Sequence, residues 1–315
     1  MRRRQFMGIC ATTAVGAAVG SRSIFAGLDD INASETADPF PFSVMLWTVE
    51  PKLPFDERIT KVAEAGYRAV ELVEEYDHWS KEEFARAKTR LRSLGIVVDA
   101  CSGIRSSICD PSQREVFLAE IRTKLPIMDQ LQCFRLILLS GDTVPGLSRE
   151  QMHASCVEGL QRAAEIAGPQ NVELLLENID PEENPKYFLT SVAEGFEVIR
   201  KVGNRKVKFL YDFFHEQISE GNLISKLEKN IDLVGLVHVA DVPGRHEPGT
   251  GEINYANIFR KLGQLHYSGY VAMEFIPTGN VVTSLRAARE FARKYGEEGV
   301  VRGQNAGLKE KHAPA

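Results

Sequence analysis

The chain has 315 residues, with 38 Lys and Arg against 43 Asp and Glu, and a formal charge of −5. Arg2, Arg3, Arg4 and Arg22 put four positive charges on residues 1–26, which hold no acid, so the remainder carries −9. An acidic chain without a basic run is a poor candidate for nucleic-acid binding, and beyond residue 26 no apolar stretch is long enough to cross a membrane.

Residues 1–26 read as an export signal, with an Arg run, a weakly apolar Ala/Gly-rich stretch and then small residues. The core Arg3-Arg4-Gln5-Phe6 points to the twin-Arg route and so to a periplasmic location. Residues 27–40 read as a polar tether, 41–295 as a single domain, and 296–315, polar and Gly-containing, as a mobile tail. Cys10 leaves with the signal. Cys101, Cys109, Cys133 and Cys156 have no CxxC spacing; two of them lie in apolar strand contexts, where a buried free thiol is the commoner state, and a periplasmic disulfide is the alternative.

From residue 42 short apolar runs alternate with helical patterns. FSVMLWTV (42–49) reads as a strand, and a helix follows over about 55–66, ending at Ala65-Gly66. YRAVELV (67–73) is the second strand. The helix over 80–94 opens with Ser80 and Glu83 at capping-box spacing and closes at Leu94-Gly95. IVVDACSG (96–103) leads to a helix over 111–130 that starts at Asp110-Pro111. CFRLILLSG (133–141) leads to a helix over 148–167, again with a capping-box spacing, Ser148 and Gln151. VELLLEN, VKFLYD, LVGLVHVA and YVAMEF are strands five to eight, with helices expected over 187–202, 222–230, 255–263 and 281–295. Eight such repeats predict an α/β fold, a (β/α)8 TIM barrel closed as a single domain, with an open doubly wound sheet as the alternative. No G-x-G-x-x-G follows the first strand, which leaves a dinucleotide site without support.

The last four strands each end in a group that can bind a cation: Glu177, Asp212, His238 and Glu274. In a closed barrel these ends meet at one mouth. Three carboxylates and an imidazole describe a divalent-metal site, and hard oxygen donors with one nitrogen suit Mn2+, Mg2+ or Co2+ better than a structural zinc. His215, three residues after Asp212, and Arg245, in the loop DVPGRHEPGTGEINY, are candidate substrate contacts. Arg245 offers a planar fork for a carboxylate. Glu71 could face the same mouth, and Trp47 and Phe214 could wall the pocket.

The segments LLLENIDPEENPKYFL, DFFHEQISEGNL, VGLVHVADVPGRHEPGTGEINYANIF and SGYVAMEFIPTG together resemble the hydroxypyruvate isomerase branch of the xylose isomerase-like sugar isomerase/epimerase barrels. The likeness spans most of the chain beyond the signal and is densest from Glu177 to Gly279. R-H-E-P-x-T-G-E-[IV]-N-Y is characteristic of that branch, whereas the E…D-x-x-H…H…E skeleton belongs to the wider superfamily. The resemblance implies that Glu177, Asp212, His238 and Glu274 are metal ligands. It implies that Glu177 and Glu274 double as the acid/base pair, and that His215 and Arg245 contact substrate. Two features depart from the branch. His238 stands where hydroxypyruvate isomerases carry Gln, as in ketose 3-epimerases, and the signal is unlike that of a cytoplasmic enzyme.

The expected activity is a metal-dependent isomerisation, best hydroxypyruvate to tartronate semialdehyde. The ion would act as Lewis acid and template while one glutamate removes a carbon-bound proton and the other returns it to the neighbouring carbon. The expected partner is a small hydroxy-carbonyl acid or sugar, with no nucleic acid and no stable membrane span; a homo-oligomer is left open. The alternatives are a ketose 3-epimerase or keto-polyol dehydratase on a free sugar, and a sugar-binding barrel without turnover. A DNA-repair endonuclease of the same superfamily would need more His ligands and a basic groove.

Overall fold

Eight runs of β-branched and Leu-rich sequence, apolar on both faces, can only be covered on both sides at once, and parallel strands under crossover helices do that. The computed structural model describes residues 38–310, with side chains to residue 304; residues 1–26, expected as an export signal and holding Cys10, and residues 27–37 of the expected tether lie outside this range. The strands are β1 (Phe42–Met45), β2 (Ala69–Leu72), β3 (Val97–Cys101), β4 (Arg135–Leu139), β5 (Glu173–Glu177), β6 (Val207–Asp212), β7 (Val234–Val239) and β8 (Tyr270–Met273). They pair in parallel, in chain order, and β1 closes on β8 through Phe42↔Val271 and Val44↔Met273. The barrel is closed, and the open-sheet alternative falls.

The helices are α1 (Phe55–Glu64), α2 (Lys81–Leu94), α3 (Arg114–Leu131), α4 (Arg149–Ala167), α5 (Val192–Val202), α6 (Phe213–Ser219), α7 (Leu223–Asn230), α8 (Tyr255–Gln264) and α9 (Val281–Glu310). Both capping boxes form: the Ser80 and Ser148 hydroxyls accept from the backbone N–H of Glu83 and Gln151, whose side chains accept in return. The four cysteines are free and buried, and no described helix is long and apolar enough to cross a membrane.

Inside the barrel, seven strands each contribute an apolar residue to one cluster, among them Met45 on β1, Leu175 on β5, Leu236 on β7 and Ala272 on β8. From β2 the residue in register with Met45 and Ala100 is Glu71. Because strand side chains alternate, Leu175, Leu210, Leu236 and Ala272 each lie two residues before Glu177, Asp212, His238 and Glu274 and share their face. The apolar floor and the polar rim above it are one period apart.

Two boundaries differ from the sequence reading. Phe40 was assigned to the tether, yet it is only 2% exposed and packs against Phe42 and Phe259, while Asp38 pairs with Arg289 at 2.5 Å. The segment from 296, read as a polar tail, continues α9 as helix to Glu310. Two of its glycines, Gly296 and Gly299, are where backbones meet. A Cβ on Gly299 would stand 2.1 Å from the Arg260 carbonyl oxygen, and one on Gly263 would stand 2.2 Å from that of Gly296. Close helix approach selects glycine here in spite of its poor helix propensity.

Candidate metal centre

Glu177, Asp212, His238 and Glu274 come together at the C-terminal ends of β5 to β8, all buried, with one donor atom from each within 4.8 Å of the others. Local structure aims each of them. A register shift between Phe209 and Leu210 sets Asp212 directly opposite His238. Asp212 is also the N-cap of α6: its Oδ1 accepts from the backbone N–H of Phe214 at 2.7 Å and of His215 at 3.3 Å. That leaves Oδ2 for the mouth, 4.0 Å from His238 Nδ1. Trp47, half-buried, donates its indole N–H to Glu274 Oε1 at 2.9 Å.

The donor set fits a divalent cation. His238 Nδ1 lies 2.7 Å from Glu274 Oε2 and 3.5 Å from Glu177 Oε1, yet neither Nδ1 nor Glu274 Oε2 has a hydrogen-bond partner among the described residues. Buried polar atoms are rarely left so. A cation among them would satisfy both. It would also offset, together with Arg245, the three buried carboxylates gathered there.

The site's own charges act strongly. Burial pushes the Glu177 carboxyl up, and His238 offsets this only in part. Burial acts the same way on Glu274, but Arg245 and His238 overcome it and hold that carboxyl well below the usual range. For His238 burial works to lower the pKa, and Glu71 and Glu274 raise it well above the ordinary imidazole value. The two glutamates are therefore driven in opposite directions, a recurring feature of acid/base pairs.

Arg245 lies over the cluster, with Nη2 2.8 Å from Glu274 Oε2 and 3.6 Å from Asp212 Oδ2. Its guanidinium stands 5.5 Å from the Trp47 ring and 5.0 Å from that of Phe214. Its backbone is left-handed, φ 56°, next to Gly244 at φ 91°. A side-chain-bearing residue in that region costs about 1–2 kcal/mol, offset here where Ile276 N–H donates to the Arg245 carbonyl at 2.6 Å.

His215 is where it was expected, beside the cluster, but it is 1% exposed and held on both sides, Nδ1 to Asp180 Oδ2 at 2.7 Å and Nε2 to Asp212 Oδ2 at 3.4 Å. Burial works to lower its pKa, but Asp212 and Asp180 raise it to about 9. Glu71 differs from expectation. It is fully buried below the mouth, with Oε2 2.8 Å from His238 Nε2, so it meets the imidazole from behind rather than the pocket.

Two residues were missed. Asp180 accepts from the backbone N–H of Glu182 and Glu183 through one oxygen and holds His215 with the other. Glu183 takes Arg245 Nη1 at 2.7 Å. The Asp180-Pro181 turn signal was available for the first; an exposed glutamate gives none. A groove of about 520 Å³ lined by Arg149, His153, Glu194 and Lys201 lies between α4 and α5 and shares no residue with this centre.

The sequence matches the family described as xylose isomerase-like TIM barrel over residues 59–295. It is 32% identical to the hydroxypyruvate isomerase of Escherichia coli K12, covering 78% of this chain and 96% of that one. It is 31% identical to the 2-oxo-tetronate isomerase of Haemophilus influenzae, over 78% and 96% of the two chains. The crystal structure titled AP endonuclease, family 2, from Brucella melitensis superposes with a TM-score of 0.72 at 28% identity, covering 78% of this chain and 97% of that one.

Proposed function

The chain belongs to the xylose isomerase-like TIM barrel family, and on that premise we propose that it is a divalent-metal isomerase acting on small 2-oxo acids with an adjacent hydroxyl. The observation that carries this is the buried quartet of Glu177, Asp212, His238 and Glu274, whose donor atoms converge within 4.8 Å and of which His238 Nδ1 and Glu274 Oε2 make no hydrogen bond among the described residues. Hydroxypyruvate, converted to 2-hydroxy-3-oxopropanoate, is the best substrate, and the relatives named for hydroxypyruvate and 2-oxo-tetronate support a 2-oxo acid.

Mn2+, Mg2+ or Co2+ would be held by the quartet and, when bound, would polarise the substrate carbonyl. Arg245 binds the substrate carboxylate, since its guanidinium already lies among carboxylates at 2.7–3.6 Å. Glu177 and Glu274 come from β5 and β8 and approach from two sides. One takes the proton from the hydroxymethyl carbon; the other delivers a proton to the former carbonyl carbon. The hydroxyl proton ends on the former carbonyl oxygen, so no external oxidant or reductant enters. His215, held through both ring nitrogens by Asp180 and Asp212, sets a positive charge beside Asp212 at the edge of the cluster, and the Trp47 and Phe214 rings exclude water around Arg245.

A second reading, epimerisation of a free ketose, draws on His238 in place of the Gln typical of hydroxypyruvate isomerases. The test is a panel of hydroxypyruvate, 2-oxo-tetronate, ketohexoses and inososes with Mn2+-loaded protein. Turnover of the acids supports the main reading, turnover of ketohexoses alone supports the second, and binding without turnover would overturn both. Twin-Arg export on Arg3-Arg4-Gln5-Phe6 is proposed alongside.

A further inference from the structure

We propose that Glu71 is a positioning residue for the metal centre: it fixes the His238 ring so that Nδ1 faces the three carboxylates, and it has no contact with substrate. This rests on the reading of His238 as a ligand.

The argument begins with cost. Glu71 sits where neighbouring strands place Met45 and Ala100, beside an apolar cluster to which seven strands contribute, with the buried Asp99 close enough to feel its charge but hydrogen-bonded to Ser43 instead. A carboxylate there costs several kcal/mol unless it is paired. Its pairing is narrow: Oε2 meets His238 Nε2 at 2.8 Å, while Oε1 is buried with no hydrogen bond among the described residues. An apolar residue would have served packing better, so the carboxylate is there for the one contact it makes.

The backbone supports the same conclusion. β2 and β3 slip in register between Val70 and Glu71. Such irregularities re-aim a single side chain and gather near functional sites. Glu71 thereby reaches from β2 to β7, with β1 and β8 between them on the barrel wall. At β8 the interior residue is Ala272, which is in register with His238 and small enough to leave that path open.

The two ring nitrogens are then assigned. Nε2–H donates to Glu71, and Nδ1 points at Glu177, Asp212 and Glu274 at 3.5, 4.0 and 2.7 Å. A ring with one nitrogen committed to a carboxylate has its tautomer and orientation set before a cation arrives.

The experiment is a double-mutant cycle on the full-length chain, with Mn2+ affinity read from the free-ion EPR signal and folding checked by circular dichroism. Glu71→Leu should weaken Mn2+ binding roughly 10–100-fold, the scale for losing such a partner. The same change in a His238→Ala background should cost less than about threefold, because the ring it acts through is gone. Glu71→Gln keeps an acceptor oxygen and should restore binding to within roughly tenfold of the unmodified protein. An equal loss from Glu71→Leu in both backgrounds, or no loss in either, would overturn the proposal. If Glu71→Leu does not fold, a Glu71→Gln protein that folds but binds as weakly as His238→Ala would overturn it too. Undiminished Mn2+ binding by His238→Ala alone would instead overturn the ligand reading on which the proposal rests.

Discussion

Replacing Glu274 by Gln keeps the side chain's size and one oxygen, but donors converge on that carboxylate from both sides. Trp47 Nε1 stands 2.9 Å from Oε1, and Arg245 Nη2 stands 2.8 Å from Oε2. In either orientation the amide NH2 must face a donor, so one charge-assisted contact worth about 1.5–3 kcal/mol is lost. Removing an acid/base group costs about 10²–10⁴ in rate. Glu274→Gln should therefore lose at least about 10²-fold in kcat and, separately, about 10–150-fold in Mn2+ affinity at 1.4 kcal/mol per tenfold. Glu177→Gln should lose a similar factor in kcat with a smaller change in affinity. Its nearest cationic group is His238 Nδ1 at 3.5 Å, and an amide there can turn its oxygen toward that nitrogen. The assay is deuterium wash-in at the substrate carbon, followed by NMR at saturating Mn2+, beside an Mn2+ titration. Wild-type turnover in either variant with the metal bound would remove that residue from proton transfer. Equal affinity losses in the two variants would refute the mispairing argument.

Dialysis against EDTA should abolish turnover, and Mn2+, Mg2+ or Co2+ should restore it; full activity without metal would exclude the centre as described. Arg245→Met should raise KM for 2-oxo acids by about 10–150-fold, the worth of a charged hydrogen bond, and leave uncharged ketoses nearly unaffected; equal effects on both would deny it the carboxylate-binding role. Changing Arg3 and Arg4 to Lys should trap precursor in the cytoplasm, and normal export of that variant would count against the twin-Arg route. Phe40→Ala should cost about 3–5 kcal/mol, as for a buried aromatic, and lower Tm; an unchanged Tm would return residue 40 to the tether.

The repeat and the quartet at the strand ends were legible because one property, burial on both faces, writes itself into the chain as short apolar runs, and the strand ends then follow by counting. Ser80 and Ser148 were legible for a similar reason: a capping box is local and spans four residues. What escaped reading depends on partners distant in sequence. The helix α6 begins on Asp212 itself, so a residue marked as a strand end also serves as a helix cap. Glu71 looks like any strand glutamate until the register slip beside it and His238, 167 positions away, are known. Asp180 acts through His215, 35 positions on. The glycines at 296 and 299 have a breaker's composition and a contact's purpose, and only α8 beside them tells the two apart.

The seam between β1 and β8 also sets when this protein can finish folding. Phe42 finds its partner at Val271, and Phe40 rests beneath Gly296, so the first and last parts of the described chain close the barrel on each other. A nascent chain can build its early strand–helix units but has nothing to seal them with, and β1 stays an open edge until β8 has emerged. Closure of so long a loop is slow relative to the local steps before it. Only a chain made at least through β8 can therefore hide the outer edge of β1.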